Sequence, residues 1–139
     1  MTVSSVRALV VDDSATIRTF VKTALEHQGF EVTEAKSGFE ALKILPKERF
    51  NLIVTDVNMP DINGLELVKY VRKEEAHRGT PLIIISTDGR ERDRDRGMQL
   101  GATAYLVKPF KPEELIALVR KVLEKGINVA PLMALPAPK

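Results

Sequence analysis

Five polar side chains stand where short apolar, β-favouring runs stop: Asp12 and Asp13 after "RALVV", Asp56 after "LIVT", Ser86 after "LIII" and Lys108 after "AYLV". The first two pose an electrostatic problem. Two like charges ~4 Å apart at an effective dielectric of about 20 repel by ~4 kcal/mol, so a cation belongs beside them. Carboxylate oxygens are the hard ligands that Mg²⁺ takes, few in number and completed by waters and phosphate oxygens. With the cation held, a carboxylate can act as nucleophile toward a phosphoryl group and form an aspartyl phosphate. The charge on the phosphoryl oxygens then calls for the metal, a hydroxyl and an ammonium. Asp56 stands alone on its strand, between the acidic pair and the side that carries Ser86 and Lys108, and is the nucleophile this pattern favours. Asp12 and Asp13 are better placed as metal ligands. Singly, each residue reads as a turn former, a helix cap or a solvated charge; their convergence on one rim is what points to chemistry.

That convergence depends on the elements between them. Residues 8–11, 30–35, 52–55, 82–85 and 104–107 read as strands, the second alternating like an edge and the third apolar enough to be buried on both sides. Amphipathic stretches separate them. Ser14 caps a helix with Ile17, Phe20, Val21, Ala24 and Leu25 at helical spacing, running to Gly29. Residues 38–45 carry Ala41, Leu42 and Leu45 on one face and stop at Pro46. A third helix, after a loop with Pro60 and Gly64, has Leu67, Val68 and Val71 inside. Pro112 opens a last helix with Leu115, Leu118, Val119 and Val122 facing in, while Ile116 and Leu123 form a second, outward apolar set. Five strands alternating with five helices predict an α/β fold: a doubly wound five-stranded parallel sheet with helices on both faces, whose ligand site lies at the carboxyl ends of the strands.

The bulk composition removes several function classes. The chain has 139 residues, which suits one compact domain with its own core. A formal net charge of +2 without long basic runs or interleaved aromatics gives no indication of nucleic-acid binding. The absence of cysteine excludes a disulfide scaffold and a thiol nucleophile. No apolar run reaches the ~20 residues of a membrane span, and no secretory leader pattern is present, so the expected location is cytoplasmic. Composition divides the chain into a domain over residues 1–128 and a Pro/Ala-rich tail or linker start, "VAPLMALPAPK", over residues 129–139.

Taken in order, "VVDDS", "LIVTDVNMPDINGLELV", "PLIIIST" and "GATAYLVKPF" resemble the receiver domain of two-component response regulators, most of all the single-domain chemotaxis regulators of bacteria, over about residues 6–126. The resemblance implies a flavodoxin-like strand order, 2-1-3-4-5. It implies that Asp56 is the phosphoacceptor, fed from a phosphohistidine on a sensor histidine kinase in a phosphorelay. Asp13, Asp56 and the backbone carbonyl of Asn58 would hold Mg²⁺, with Asp12 acting through water. Ser86 matches the switch hydroxyl, Lys108 the ion-pairing lysine and Tyr105 the aromatic that rotates inward on activation. The Lys108–Pro109 bond is expected to be cis. Asn58 and Asp88 match positions that tune hydrolysis of the acyl phosphate, and this pairing predicts a short-lived phosphorylated state. The function implied is a phosphorylation-activated switch, not a turnover enzyme, that binds a downstream protein through its fourth helix, fifth strand and fifth helix, in chemotaxis or motility control.

Two stretches depart from the family pattern. Thr87 follows the switch hydroxyl where a small residue is usual. "GRERDRDRG", residues 89–97, occupies the place of the fourth helix with opposite charges at i,i+3 and like charges at i,i+4, terms of ~0.2–0.5 kcal/mol each that roughly cancel. Gly97 costs ~1 kcal/mol against alanine in a helix, and the apolar anchors are Met98 and Leu100. This predicts either a solvated helix or a short, mobile one whose order is coupled to phosphorylation or to a partner. The enzymatic rival, a haloacid-dehalogenase-like phosphatase, also uses Asp, Mg²⁺, Ser/Thr and Lys, but its nucleophile comes first in a D-x-D motif. Here the acidic pair comes first and no D-x-D ends a strand. A degenerate receiver serving only as a scaffold is disfavoured by the full set Asp13, Asp56, Ser86 and Lys108.

Overall fold

Strands and helices alternate strictly along the chain: β1 (Val6–Val11), α1 (Ala15–Glu26), β2 (Phe30–Ala35), α2 (Gly38–Ile44), β3 (Leu52–Asp56), α3 (Gly64–Lys73), β4 (Leu82–Ser86), α4 (Glu91–Leu100), β5 (Ala104–Val107) and α5 (Pro112–Gly126). The computed structural model describes residues 6–86 and 91–126, with the side chains of residues 91–93, 125 and 126 outside that description. Thr87, Asp88 and residues 129–139 therefore lie outside the described residues. The five strands form one parallel sheet in the order β2-β1-β3-β4-β5. Among the described residues no helix is long and apolar enough to cross a membrane.

Strand periodicity divides the core into two layers. Ala8, Val10, Leu52, Val54, Ile83 and Ile85 point to the side covered by α1 and α5, whereas Leu9, Val11, Ile53, Leu82 and Ile84 point to the side covered by α2, α3 and α4. Each central strand is thus buried on both faces, which is why its sequence reads as a continuous apolar run. The helices start where side chains supply the missing acceptors: Ser14 Oγ receives the Ile17 N–H, Ser37 Oγ the Glu40 N–H, and Asn63 Oδ1 the Leu65 N–H.

Several element bounds differ from the sequence expectation, and two differences matter for the site. Asp56 and Ser86 are themselves the last residues of β3 and β4, in register with Ile85 and Val107. Their backbones are held inside the ladder instead of following it. At the other end β1 starts at Val6, and α2 stops at Ile44 with Leu45 as its C-cap.

Side chains of α5 and α4 lie differently from the sequence expectation. Ile116 and Leu123 are not an outward face: they are 7% and 2% exposed, within the same cluster as Val21, Leu25 and Leu115. α5 packs on both the sheet and α1, so its buried stripe is wider than the set facing the sheet alone. In α4, Met98 is 44% exposed and does not anchor the helix, whereas Leu100 packs against the core. Gly97 is the close contact: a Cβ there would lie 2.3 Å from Ile84 Cδ1. The glycine that weakens α4 as a helix is what lets it approach β4. The i,i+3 pairs expected of α4 involve side chains of residues 91–93, which are not described; Arg94 Nε lies 3.6 Å from Asp95 Oδ1.

Arg72 of α3 ties together the loops that flank β4 and β5 at their amino ends. Its Nε donates to the Gly101 carbonyl at 2.8 Å, one terminal nitrogen to the Thr80 carbonyl at 2.8 Å, and the other to Thr103 Oγ1 at 3.3 Å. These acceptors are neutral, and burial pulls the guanidinium below its ordinary pKa. A lysine has the charge but not the three-way fork. Arg72→Lys is expected to destabilise the fold by about 2 kcal/mol, because carbonyls are left unpaired in a half-buried place. The shift in denaturant midpoint at constant slope measures it, and an unchanged midpoint would refute the role.

Candidate functional site

The site forms where β1 and β3 leave the sheet side by side. Val11 is in register with Thr55, which places Asp12 next to Asp56 across the strand pair. Asp12 N–H still donates to the Ala35 carbonyl of β2 at 3.1 Å. Asp12 and Asp56 are buried and Asp13 is exposed, and carboxylate oxygens of the three lie within 4.8 Å of one another. The cleft is therefore acidic at its floor and open at one lip.

Lys108, just past β5, reaches back across the sheet edge. Its ammonium is 3.2 Å from Asp12 Oδ2 and 3.5 Å from Asp56 Oδ1, and is itself mostly enclosed. The register of β5 delivers it: the Lys108 N–H donates to the Ser86 carbonyl at 2.8 Å, so Ser86 and Lys108 are fixed to one another by the backbone. The Lys108–Pro109 peptide is cis. Asp12 Oδ1 accepts the Ser14 N–H at 2.9 Å, so both oxygens of this carboxylate are engaged by protein groups.

One ammonium does not balance three carboxylates. Burial first, and the Asp12 charge second, push the Asp56 carboxyl above its ordinary pKa; Asp13 adds to this, while the Lys108 ammonium and the Asn58 N–H oppose it. The Asn58 N–H lies 3.4 Å from Asp56 Oδ1. A hard divalent cation fits this donor set by charge and by ligand type, and Mg²⁺ is the one suited to a few carboxylates plus water.

The structure thus brings Asp12, Asp13, Asp56 and Lys108 into one cleft, with the Asn58 backbone beside Asp56 and the fully buried Ser86 at the end of the adjacent strand. Tyr105 lies elsewhere: it is half-buried on β5, in register with Ile84 and packed toward the α3 and α4 side. Asp88 lies outside the described residues, so its pairing with Asn58 rests on sequence.

Two contributors escape a reading of strand ends. Arg18 donates to the Asp12 carbonyl at 2.8 Å. Gly64 brings the start of α3 so close to β3 that a Cβ would lie 2.1 Å from the Asp56 carbonyl oxygen. The only sequence signals for these were a cation one helical turn past a cap and a glycine placed directly after Asn63.

Fold and cleft together define a flavodoxin-like α/β domain with a cluster of three carboxylates at the carboxyl edge of its sheet. The chain belongs to the response regulator receiver domain family, whose sequence profile matches residues 8–120. It is a receiver domain of the two-component type. Its structure is similar to that of the chemotaxis response regulator CheY4 of Vibrio cholerae, with 40% identity, a TM-score of 0.81, and coverage of 86% of this chain and 99% of that one. It is 40% identical to a probable transcriptional regulator, ycf27, of Porphyra purpurea, over 94% of this chain and 52% of the relative; the chain spans about half the length of that protein. The receiver domain of a Pseudomonas aeruginosa sensor histidine kinase, 26% identical with a TM-score of 0.80, covering 88% of this chain and 100% of that one, has a magnesium ion coordinated in its active-site cleft.

Proposed function

We propose that this domain is a phosphorylation-activated switch that takes a phosphoryl group from a sensor histidine kinase onto Asp56. The observation that carries this reading is the position of Lys108, whose ammonium spans Asp12 and Asp56 at 3.2 and 3.5 Å while a third carboxylate stays within 4.8 Å. Such a cleft offers a nucleophile, a place for a cation and a counter-charge for the transferred group.

In this reading Asp13, Asp56 and the Asn58 carbonyl hold Mg²⁺. Asp12, with both oxygens already engaged, acts through water. When bound, Mg²⁺ neutralises the carboxylates and polarises a phosphoryl oxygen. Asp56 attacks with a carboxylate oxygen; the P–O bond forms as the donor's P–N bond breaks, and the departing imidazole keeps the electron pair and takes up a proton. Lys108 follows the charge that moves onto the phosphoryl oxygens, and the Ser86 hydroxyl meets another of them. Asn58 and Asp88 govern how fast water removes the group, and the domain is not a turnover enzyme.

The output leaves by the α4, β5 and α5 face, with Tyr105 turning inward as Ser86 is drawn to the phosphoryl group. A groove of 420 Å³ lies there, lined in part by Arg94, Met98, Tyr105, Leu118 and Lys121. Apolar lining with two cations suits an amphipathic acidic segment of a protein target. Residues 1–128 act as the receiver domain in the cytoplasm, and residues 129–139 as a tail or linker start. Likeness to CheY4 supports chemotaxis or motility control, with no contact to nucleic acid. The ycf27 relative supports a second output, control of transcription from within a longer protein.

Labelling by radioactive acetyl phosphate tests the switch. The expected result is one Mg²⁺-dependent label, labile to base and to hydroxylamine, in the peptide that contains Asp56, reduced by ~10–100-fold in Asp13→Ala through the loss of a metal ligand. Labelling indifferent to Mg²⁺, or to Asp13→Ala, would sink the assignment. Steady turnover of a general phosphate ester would instead make the domain an enzyme.

A further inference from the structure

The Asp12–Asp13 peptide carries two acids of the cleft, yet it lies beyond the last ladder pair of β1, Val11 with Ala35. Something other than the sheet must hold its carbonyl. Arg18, whose own N–H bonds to the Ser14 carbonyl in the first turn of α1, points a terminal nitrogen at the Asp12 oxygen, at 2.8 Å. The same guanidinium places its Nε 3.0 Å from Glu34 Oε1 on β2, and its side chain is 11% exposed. Glu34 is held in turn by Lys22, at 3.3 Å from its other oxygen.

We infer that Arg18 is a positioning residue, which, braced by Glu34, fixes the Asp12–Asp13 peptide and so sets the affinity of the cleft for a divalent cation. The inference rests on the reading of this cleft as a Mg²⁺ site. Arg18 touches neither the carboxylates that would bind the ion nor the phosphoryl group; it acts through the peptide that carries them. Charge and positioning pull in opposite directions here. Removing a positive side chain near the cleft would by charge alone tighten cation binding. Releasing the peptide lets Asp13 leave its place and weakens binding, as loss of an outer partner does at metal sites generally. Glu34 already offsets most of the Arg18 charge, so positioning decides the sign.

The test titrates the metal-free protein with MgCl₂, following the amide resonances of the cleft by NMR well below the unfolding temperature. Arg18→Met is expected to raise the Kd for Mg²⁺ about tenfold, and Glu34→Gln, which touches no part of the cleft, about threefold in the same direction. Arg18→Lys keeps the charge and recovers part of the affinity. Lys22→Met, which removes the other cation on Glu34, leaves it unchanged. In the metal-free state the Asp12 carbonyl carbon resonance should shift in Arg18→Met and stay put in Lys22→Met. Affinity within twofold of the parent, or tighter, in Arg18→Met overturns the inference alone; so does Lys22→Met weakening binding as much as Glu34→Gln. A parent protein that fails to bind Mg²⁺ overturns the site reading and the inference together.

Discussion

Asp56→Asn is expected to abolish phosphorylation, by more than ~10³-fold in initial rate, and at the same time to make the metal-free protein more stable by about 1–2 kcal/mol. The first effect follows from removing the oxygen that forms the acyl phosphate in the proposed function. The second follows from the surroundings of Asp56, where burial and the Asp12 charge hold the carboxyl above its ordinary pKa of 3.8 against the pull of Lys108. A carboxyl raised in the folded state binds its proton more tightly there than in the unfolded chain, so folding is penalised as pH rises through the folded-state pKa. Below about pH 3.8 the acid is neutral in both states and the substitution gains nothing; above it the gain grows and then levels off once Asp56 is ionised in the fold. Mg²⁺ works against this difference. At ten times its Kd the ion stabilises the parent by about 1.4 kcal/mol and the variant by far less. Urea unfolding across pH, with and without MgCl₂, measures both terms. A variant less stable than the parent at neutral pH without metal would show that Lys108 already compensates the cleft.

The same balance explains what the sequence could convey. Strand ends were legible because a polar residue after an apolar run is a local signal, and a parallel sheet carries every such end to one edge. Asp12, Asp13, Asp56, Ser86 and Lys108 needed nothing more. Strand order was not legible from periodicity, since Leu52 and Leu82 look alike whichever neighbour they pair with; the resemblance supplied it. Residues whose role lies in what they approach were harder. Gly97 reads in sequence as a weak helix former, because its partner, Ile84, lies on a different element. Ile116 and Leu123 read as outward when one face of the last helix is set against the sheet alone, whereas α5 also packs on α1. Arg18 resembles any solvated helix cation until β2 puts Glu34 beside it.

Gly64→Ala is the second large effect, and here local propensity gives the wrong sign. Alanine is the better helix former by ~1 kcal/mol, so an isolated α3 would gain from the change. The fold does not permit it. A Cβ at residue 64 would lie 2.1 Å from the Asp56 carbonyl oxygen and 2.9 Å from both the Asp56 carbonyl carbon and Val57 Cα, all backbone atoms at the carboxyl end of β3 or one residue past it. The Gly64 N–H donates to the Val57 carbonyl at 2.8 Å, so α3 is bonded to that strand at the point of closest approach and cannot slide away without losing the bond. Relief requires α3 or the Asp56–Val57 backbone to move, an overpacking cost of about 3 kcal/mol. The same movement displaces Asp56, the proposed nucleophile, and a shift of ~1 Å in a reacting group can slow a reaction ~10²-fold. Both losses are therefore expected together, in urea midpoint and in labelling rate with acetyl phosphate. Gly79→Ala is the matched control, since a Cβ there meets nothing within 4 Å, and it should leave both quantities close to the parent. If Gly64→Ala kept parental stability and rate, the close approach of α3 would have no part in holding Asp56 in place.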